Sequence, residues 1–202
     1  MKPSGADVVI VGGGIAGVAT AYFLGKEGVK SVVVERDSLG SHASGFAYGG
    51  LSGLSWAGDQ SPVAALGAEG FRLHRQLAET LLEETGVNTE FRERPTLSLA
   101  FSDEEATAGR SQASRQQGDE GYSVRWVDAQ EARSIESRIS PDALGAVYVE
   151  GTADVEPYRL VVAMAQAAEA MGATIRHGGV TGLKRDGDRV SGVNPSGPGG
   201  PL

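Results

Sequence analysis

The chain has 202 residues, 40% of them hydrophobic and 22% charged, with a formal net charge of −8 and no cysteine. That length buries one good core, or one and a half domains, and the composition is that of an ordinary soluble protein. A negative balance without a Lys/Arg block argues against nucleic-acid and anionic-membrane partners, and the lack of cysteine excludes disulfides, thiolate catalysis, cysteine-ligated metal and cysteinyl cofactor attachment.

The chain begins "MKPSGADVVIVGGG", which has neither the long apolar core nor the cleavage-like end of a signal peptide. No apolar run approaches the roughly 20 residues that span a bilayer, so the expected location is the cytoplasm. Asp7 to Val11 is a β-branched run, as in a strand buried on both faces. Ile15, Val18, Ala19, Tyr22 and Phe23 follow at helical spacing and Gly28 offers the stop. "SVVVE" (Ser31 to Glu35) is a second buried strand, which completes a βαβ unit. Ser38 to Gly58 is a loop of Gly, Ser and Ala with scattered aromatics. Pro62 starts a helix carrying Leu66, Leu73, Leu77 and Leu81 on one face, and Gly86 ends it. "TLSLAF" reads as a strand, and Ser102 with Glu105 as a capping box that opens a polar helix. That helix is expected to end before the turn-like "QGDEGY". "DAQEAR" starts a short helix and "GAVYVE" is a strand. Pro157 stands where a first helical turn tolerates it, ahead of a buried stripe of Leu160, Met164, Ala167 and Met171 that Gly172 closes. "ATIRHGGVTGLKRDGDRVSGV" is a strand and then a hairpin turning at Asp186-Gly187, and "NPSGPGGPL" reads as a disordered tail.

Gly12, Gly14 and Gly17 fit G-x-G-x-x-G. The pattern alone is weak, but here it follows a strand, opens a helix and precedes an acidic residue, Glu35, at the end of the next strand. That is the context of a dinucleotide site. Gly12 permits the tight turn, Gly14 lets a pyrophosphate reach the backbone, and Gly17 lets the helix lie close to the sheet. The helix N-terminus contributes about 0.3–1 kcal/mol per anionic charge at exposed sites. Glu35 can accept hydrogen bonds from both ribose hydroxyls and would repel a 2′-phosphate, which disfavours NADP despite the neighbouring Arg36. The plain alternative is a tight strand–helix turn with no ligand, which needs neither three glycines nor a distant carboxylate.

These features do not separate NAD from FAD. The segment after Glu35, "RDSLGSHASGFAYGGLSG", does, because a nicotinamide domain would proceed to another helix and strand. Small residues there (Gly40, Ser41, Ala43, Ser44, Gly45, Gly49 and Gly50) instead let backbone amides approach a flat ring system. With "VVIVGGGIAGVATAYFL", "VVVERD" and "SHASGFAYGGLS", the chain resembles the N-terminal half of the D-amino-acid oxidase family of FAD-dependent oxidoreductases, which includes glycine oxidase, sarcosine oxidase and D-amino-acid dehydrogenase. The likeness continues more loosely through "VEPYRLVVAMAQAAEAMGATIRHGGVTGLKRDGDRVSGV", and so covers most of the chain to Val193. The resemblance implies FAD as cofactor and hydride transfer from the C–N carbon of an amino acid or related amine. It places Gly12, Gly14 and Gly17 at the pyrophosphate, Glu35 at the ribose and Arg36 beside the adenosine. Ser41, His42, Ala43 and Ser44 fall in the loop near the pyrophosphate and flavin, Gly49 and Gly50 near the ring, and Val180 at adenine through its backbone.

Family members continue well beyond "RVSGV", and the groups that grip the substrate come mostly from that later part. The chain is therefore expected to be a truncated member: an α/β FAD-binding Rossmann-like domain with a central parallel sheet, interrupted by part of a β-rich substrate domain. The expected division gives 1–88 and 151–193 to FAD binding, 89–150 to the partial substrate domain and 194–202 to the tail. Two other readings stay open: a partner subunit or non-catalytic nucleotide-binding remnant, and an NAD-dependent oxidoreductase. So do an oligomer and a completing second chain. No catalytic residue is assigned. A histidine in a polar loop such as His42 is more often solvated than catalytic, and His74 and His177 read as surface residues. No histidine pair has metal-ligand spacing, so no metal site is expected. Tyr48 and Trp56 suit core packing as well as a substrate cavity. Nothing in the sequence directs Arg92 or Arg94 to a substrate carboxylate, and G-x-S-x-G is absent.

Overall fold

The structure, a computed structural model, describes residues 5–52, 64–116 and 123–196. In chain order it forms β1 (Val8–Val11), α1 (Ile15–Lys26), β2 (Ser31–Glu35), β3 (Gly50–Leu51) and α2 (Ala64–Thr85). There follow β4 (Arg92–Glu93), β5 (Thr96–Ala100), α3 (Asp103–Gln116), β6 (Ser123–Asp128), α4 (Ala129–Ile135) and β7 (Gly145–Glu150). The last five are β8 (Ala153–Asp154), α5 (Pro157–Ala170), β9 (Thr174–His177), β10 (Gly179–Asp186) and β11 (Arg189–Ser196). Two compact units emerge, one of Met1–Gly49, Gln76–Glu90 and Glu156–Leu202 and one of Gly50–Arg75 and Phe91–Val155. Residues 50–75 thus group with the second unit, whereas the sequence division sets them in the first.

In the first unit a parallel sheet runs in the order β1–β2–β9. Ser31 to Val34 of β2 are all buried, which is why this strand is β-branched without alternation. Helix α1 crosses between β1 and β2 and buries Val18, Ala21 and Tyr22. Helix α5 packs against α1 and buries Leu160, Val161, Met164, Ala167 and Ala168. A full aliphatic side chain buried in this way contributes about 1.5–3 kcal/mol. The close approach has a specific cause, since a Cβ on Gly25 would stand 3.0 Å from that of Met171. The Glu156 carboxylate caps α5 by accepting from the N–H of Arg159 at 2.7 Å, and Pro157 occupies the first turn, where its missing N–H costs nothing. Gly28, Gly86 and Gly172, the three expected helix stops, all have positive φ. At the end of α2, Leu77 and Leu81 are buried, and Glu84 meets Lys26 of α1 at 2.5 Å. The expected stripe fails at Leu66, which is 73% exposed. Pro62, its proposed start, lies outside the described residues, as do Trp56 and the turn-like "QGDEGY".

Strands β10 and β11 form the expected hairpin, but Asp186 pairs with Arg189, so the turn is Gly187-Asp188, one residue later than expected, with Gly187 at φ +59°. The hairpin runs further than the sequence suggests. Asn194, Pro195 and Ser196 pair with Gly182, Val180 and Gly179, so the assignment of 194–196 to a disordered tail is corrected. Proline is compatible with a ladder at an edge, where its missing N–H faces away from the partner strand. The rest of the expected tail, 197–202, lies outside the described residues.

The second unit is built on an antiparallel sheet ordered β5–β7–β6. Alternation along β7 sends Val147 and Val149 to one face, with Val124, Trp126 and Ala113 of α3. Ala146 and Tyr148 go to the other, with Leu97, Leu99, Val127 and Ala132 of α4. Strand β6 is not announced by the sequence, because "SVRWVD" interleaves charge with its apolar residues. The capping box forms in a shifted version: Ser102 Oγ accepts from the Glu105 N–H at 3.2 Å, while the Glu105 carboxylate reaches Phe101 N–H at 2.7 Å. A small sheet β3–β8–β4 completes the unit, with Arg94 3.5 Å from Asp154.

Trp126 is seated between two glycines. A Cβ on Gly109 would stand 2.7 Å from its ring, and one on Gly145 would meet both the ring and the Val127 carbonyl oxygen at 2.6 Å. The carbonyl is backbone and cannot swing aside. Gly145→Ala is therefore expected to destabilise the protein by about 1–3 kcal/mol, the usual range for overpacking. Urea unfolding followed by tryptophan fluorescence measures it.

Candidate cofactor site

The site grows from the end of β1. The Gly12 N–H donates to the Val34 carbonyl at 2.9 Å, and at φ +105° the chain then turns out of the sheet. Gly14 is the residue that caps α1, with extended backbone and no side chain to offer. One turn on, Gly17 faces back to Gly12. Any Cβ there would sit far inside contact distance of the Gly12 carbonyl oxygen. The first turn of α1 is thus pressed onto the strand end, and the start of a helix carries N–H groups that have no partner within the helix.

Glu35 closes one side. Its Oε2 accepts from the Gly13 N–H at 2.6 Å and its Oε1 from the Asp37 N–H at 2.8 Å. Partial burial alone pushes this carboxyl up. Backbone N–H groups of Asp37, Gly13 and Arg36 outweigh that and hold its pKa below the ordinary carboxylate value. The Glu35 carbonyl accepts from the Gly178 N–H at 2.8 Å, which brings the start of β10 to the end of β2. There a Cβ on Gly179 would stand 3.9 Å from that of Arg36. Val180 is next, half-buried and paired with Pro195. Glu35, Arg36 and Val180 are therefore gathered at one end of the glycine turn.

The loop after β2 folds back over that turn. The Gly40 N–H donates to the Gly13 carbonyl at 3.1 Å, and Ser44 Oγ accepts from the Ile15 N–H at 3.0 Å. A Cβ on Gly14 would stand 3.0 Å from the same Oγ. Ser41 Oγ is buried and makes no hydrogen bond. His42 is exposed and lies 2.8 Å from Asp37, whose carboxyl is held below its ordinary pKa first by that hydrogen bond. Ala43 is exposed. Gly49 has φ +84°. Gly50 opens β3 opposite Asp154 and belongs to the second unit. Glu35, Gly40 and Ser44 thus meet the turn formed by Gly12, Gly13, Gly14 and Gly17, and Ser41 follows Gly40 in the chain.

Sequence reasoning passes over Asp37, Gly13 and Leu39. Asp37 joins the loop through its N–H and carboxylate, and the signal for it is its place directly after Glu-Arg. A Cβ on Gly13 would stand 2.5 Å from Leu39 Cδ2, a contact that no spacing rule reveals.

Residues 7–200 match the family model described as DAO, FAD dependent oxidoreductase. The chain belongs to that family. It is 35% identical over 170 residues to glycine oxidase from Geobacillus kaustophilus, covering 84% of this chain and 45% of that protein. The crystal structure of glycine oxidase from Geobacillus kaustophilus superposes with a TM-score of 0.88 at 31% identity, over 98% of this chain and 52% of the other. The chain is also 34% identical over 190 residues to one subunit of the anaerobic glycerol-3-phosphate dehydrogenase of Escherichia coli, covering 93% of this chain and 33% of that one. It spans about half the length of the glycine oxidases it matches. Among the described residues no helix is long and apolar enough to cross a membrane.

FAD is the cofactor of this family, and the residues present fit it. The turn offers bare backbone where side chains would obstruct a pyrophosphate, and Ser41, which follows the Gly40 bonded to Gly13, has a buried hydroxyl with no hydrogen bond. Gly17→Ala is expected to displace α1 from the strand end and abolish FAD uptake, read as loss of flavin absorbance after desalting. Because the folded pKa of Glu35 is depressed, its contribution to stability is present above the ordinary carboxylate range and lost as pH falls through its folded value. The cofactor affinity should follow the same direction, flat through neutral pH and falling only in acid. Glu35→Gln removes that acid limb.

Proposed function

We propose that the first compact unit holds FAD by its adenosine diphosphate end and that the chain serves the oxidation of a C–N bond in an amino acid or related amine. One observation carries the reading: a carboxylate with both oxygens already aligned by backbone donors stands beside a glycine turn that has no side chains to exclude a diphosphate. FAD, when bound, supplies the hydride acceptor for the substrate carbon, leaving an imine that water hydrolyses.

The chain's own residues bind and orient. The first turn of α1, opened by Gly12 and Gly14, meets the pyrophosphate; Glu35 takes the ribose hydroxyls; Arg36 and the Val180 backbone border the adenine. Ser41 donates its free hydroxyl, and His42, Ala43 and Ser44 line the same loop. Gly49, at the end of the first unit's loop, admits the ring edge. The second unit is read as part of the substrate domain.

The identity to the glycerol-3-phosphate dehydrogenase subunit, 34%, is close to the 35% with glycine oxidase, so an alcohol bearing a phosphate is the second substrate class to test. Purified protein should take up FAD and turn yellow. Anaerobic glycine, a D-amino-acid panel and sn-glycerol 3-phosphate are then added one at a time. Bleaching by an amine supports the proposal, and bleaching by glycerol 3-phosphate alone replaces the amine with an alcohol. Uptake without bleaching leaves cofactor binding and removes turnover by this chain. Binding of NADH but not FAD overturns the flavin reading.

A further inference from the structure

Gly13 is the middle of three consecutive glycines and lies outside the spacing that a pyrophosphate turn requires. It is buried, and a Cβ there would meet three atoms: Leu39 Cδ2 at 2.5 Å, Glu35 Cβ at 3.0 Å and Glu35 Cγ at 3.2 Å. One bare Cα is therefore shared by an isobutyl group and the stem of the ribose-facing carboxylate. The placement of Leu39 is not accidental. The next residue, Gly40, bonds through its N–H to the Gly13 carbonyl, and Gly13 bonds through its own N–H to Glu35. The peptide of Gly13 thus ties the loop on one side and the carboxylate on the other, and Leu39 fills the gap between them.

We propose that Leu39 is a positioning residue for the cofactor: packed over the bare face of Gly13, it confines the Glu35 side chain so that its carboxylate stays on the Gly13 and Asp37 N–H groups and meets the ribose already aligned. The proposal rests on the FAD reading above and assigns Leu39 no contact with the nucleotide. Leu39 lowers the cost of binding by restricting an acceptor that would otherwise sample several rotamers.

The test is a double-mutant cycle on the FAD dissociation constant, by quenching of flavin fluorescence, with wild type, Leu39→Ala, Glu35→Gln and the double variant. Leu39→Ala should weaken FAD about fivefold and Glu35→Gln about tenfold, while the double variant stays within about twofold of Glu35→Gln alone, because coupled residues are not additive. Leu39→Met, which keeps the volume, should bind as wild type does. If Leu39 merely packs the loop, its substitution weakens FAD by the same factor in both backgrounds, and that result overturns the proposal. Unchanged affinity of Leu39→Ala in the wild-type background overturns it too. Should thermal melts show that Leu39→Ala does not fold, Leu39→Val carries the same cycle. Failure of the wild-type protein to take up FAD is a different result and sinks the cofactor reading itself.

Discussion

The fold of the first unit turns on a single close approach, that of the Gly17 Cα to the carbonyl oxygen of Gly12. With no Cβ between them, α1 starts directly on top of the strand end. That position sets how far the helix N-terminus projects, and it leaves Gly13 within reach of a carboxylate 22 positions later in the chain. Were α1 lifted by the width of a methyl group, Gly13 would be drawn away both from Glu35 and from the Gly40 N–H. Glycine costs about 0.5–1 kcal/mol relative to alanine inside regular structure. A backbone clash costs more, and the sequence resolves the balance in favour of glycine.

The same device recurs in the loop that covers the turn. A Cβ on Gly45 would run into the carbonyl of Gly40, five residues earlier, as one on Gly17 would run into that of Gly12. Gly40 itself lies against Val161 and Tyr158 of α5, where a Cβ would stand 3.3 Å from Val161. The loop is thus a second compact turn stacked on the first, joined by the Gly40 N–H and by Ser44. This explains why a segment without strand or helix can present named groups at fixed places. Its order comes from backbone packing, while its charged contacts, Asp37 with Arg36 and His42, are exposed and individually weak.

Much of this is legible in the sequence, for stated reasons. The βαβ unit announces itself because β2 is buried on both faces and α1 and α5 carry stripes of apolar residues; the helix stops do so because only glycine readily accepts the positive φ found there. The glycine turn and Glu35 are readable because their chemistry is fixed by spacing along one chain. What escapes depends on contacts that spacing does not encode. Strand β6 hides behind Arg125 and Asp128, since pairing with β7 and the seat of Trp126 between two glycines outweigh its mixed composition. The strand at Asn194 to Ser196 is masked by proline, and the exposure of Leu66 by a helical period that continues past the core. Asp37 and Leu39 matter only because the loop folds back, which local residues do not dictate.

The Glu35 carboxylate also keeps spare capacity. Gly13 donates to one of its oxygens and Asp37 to the other, the Arg36 N–H also acts on the group, and the two oxygens together carry four lone pairs. Under the proposed assignment, a sugar hydroxyl is received by a remaining lone pair, an addition in place of an exchange. The Gly13 and Asp37 hydrogen bonds then stay in place as the nucleotide arrives.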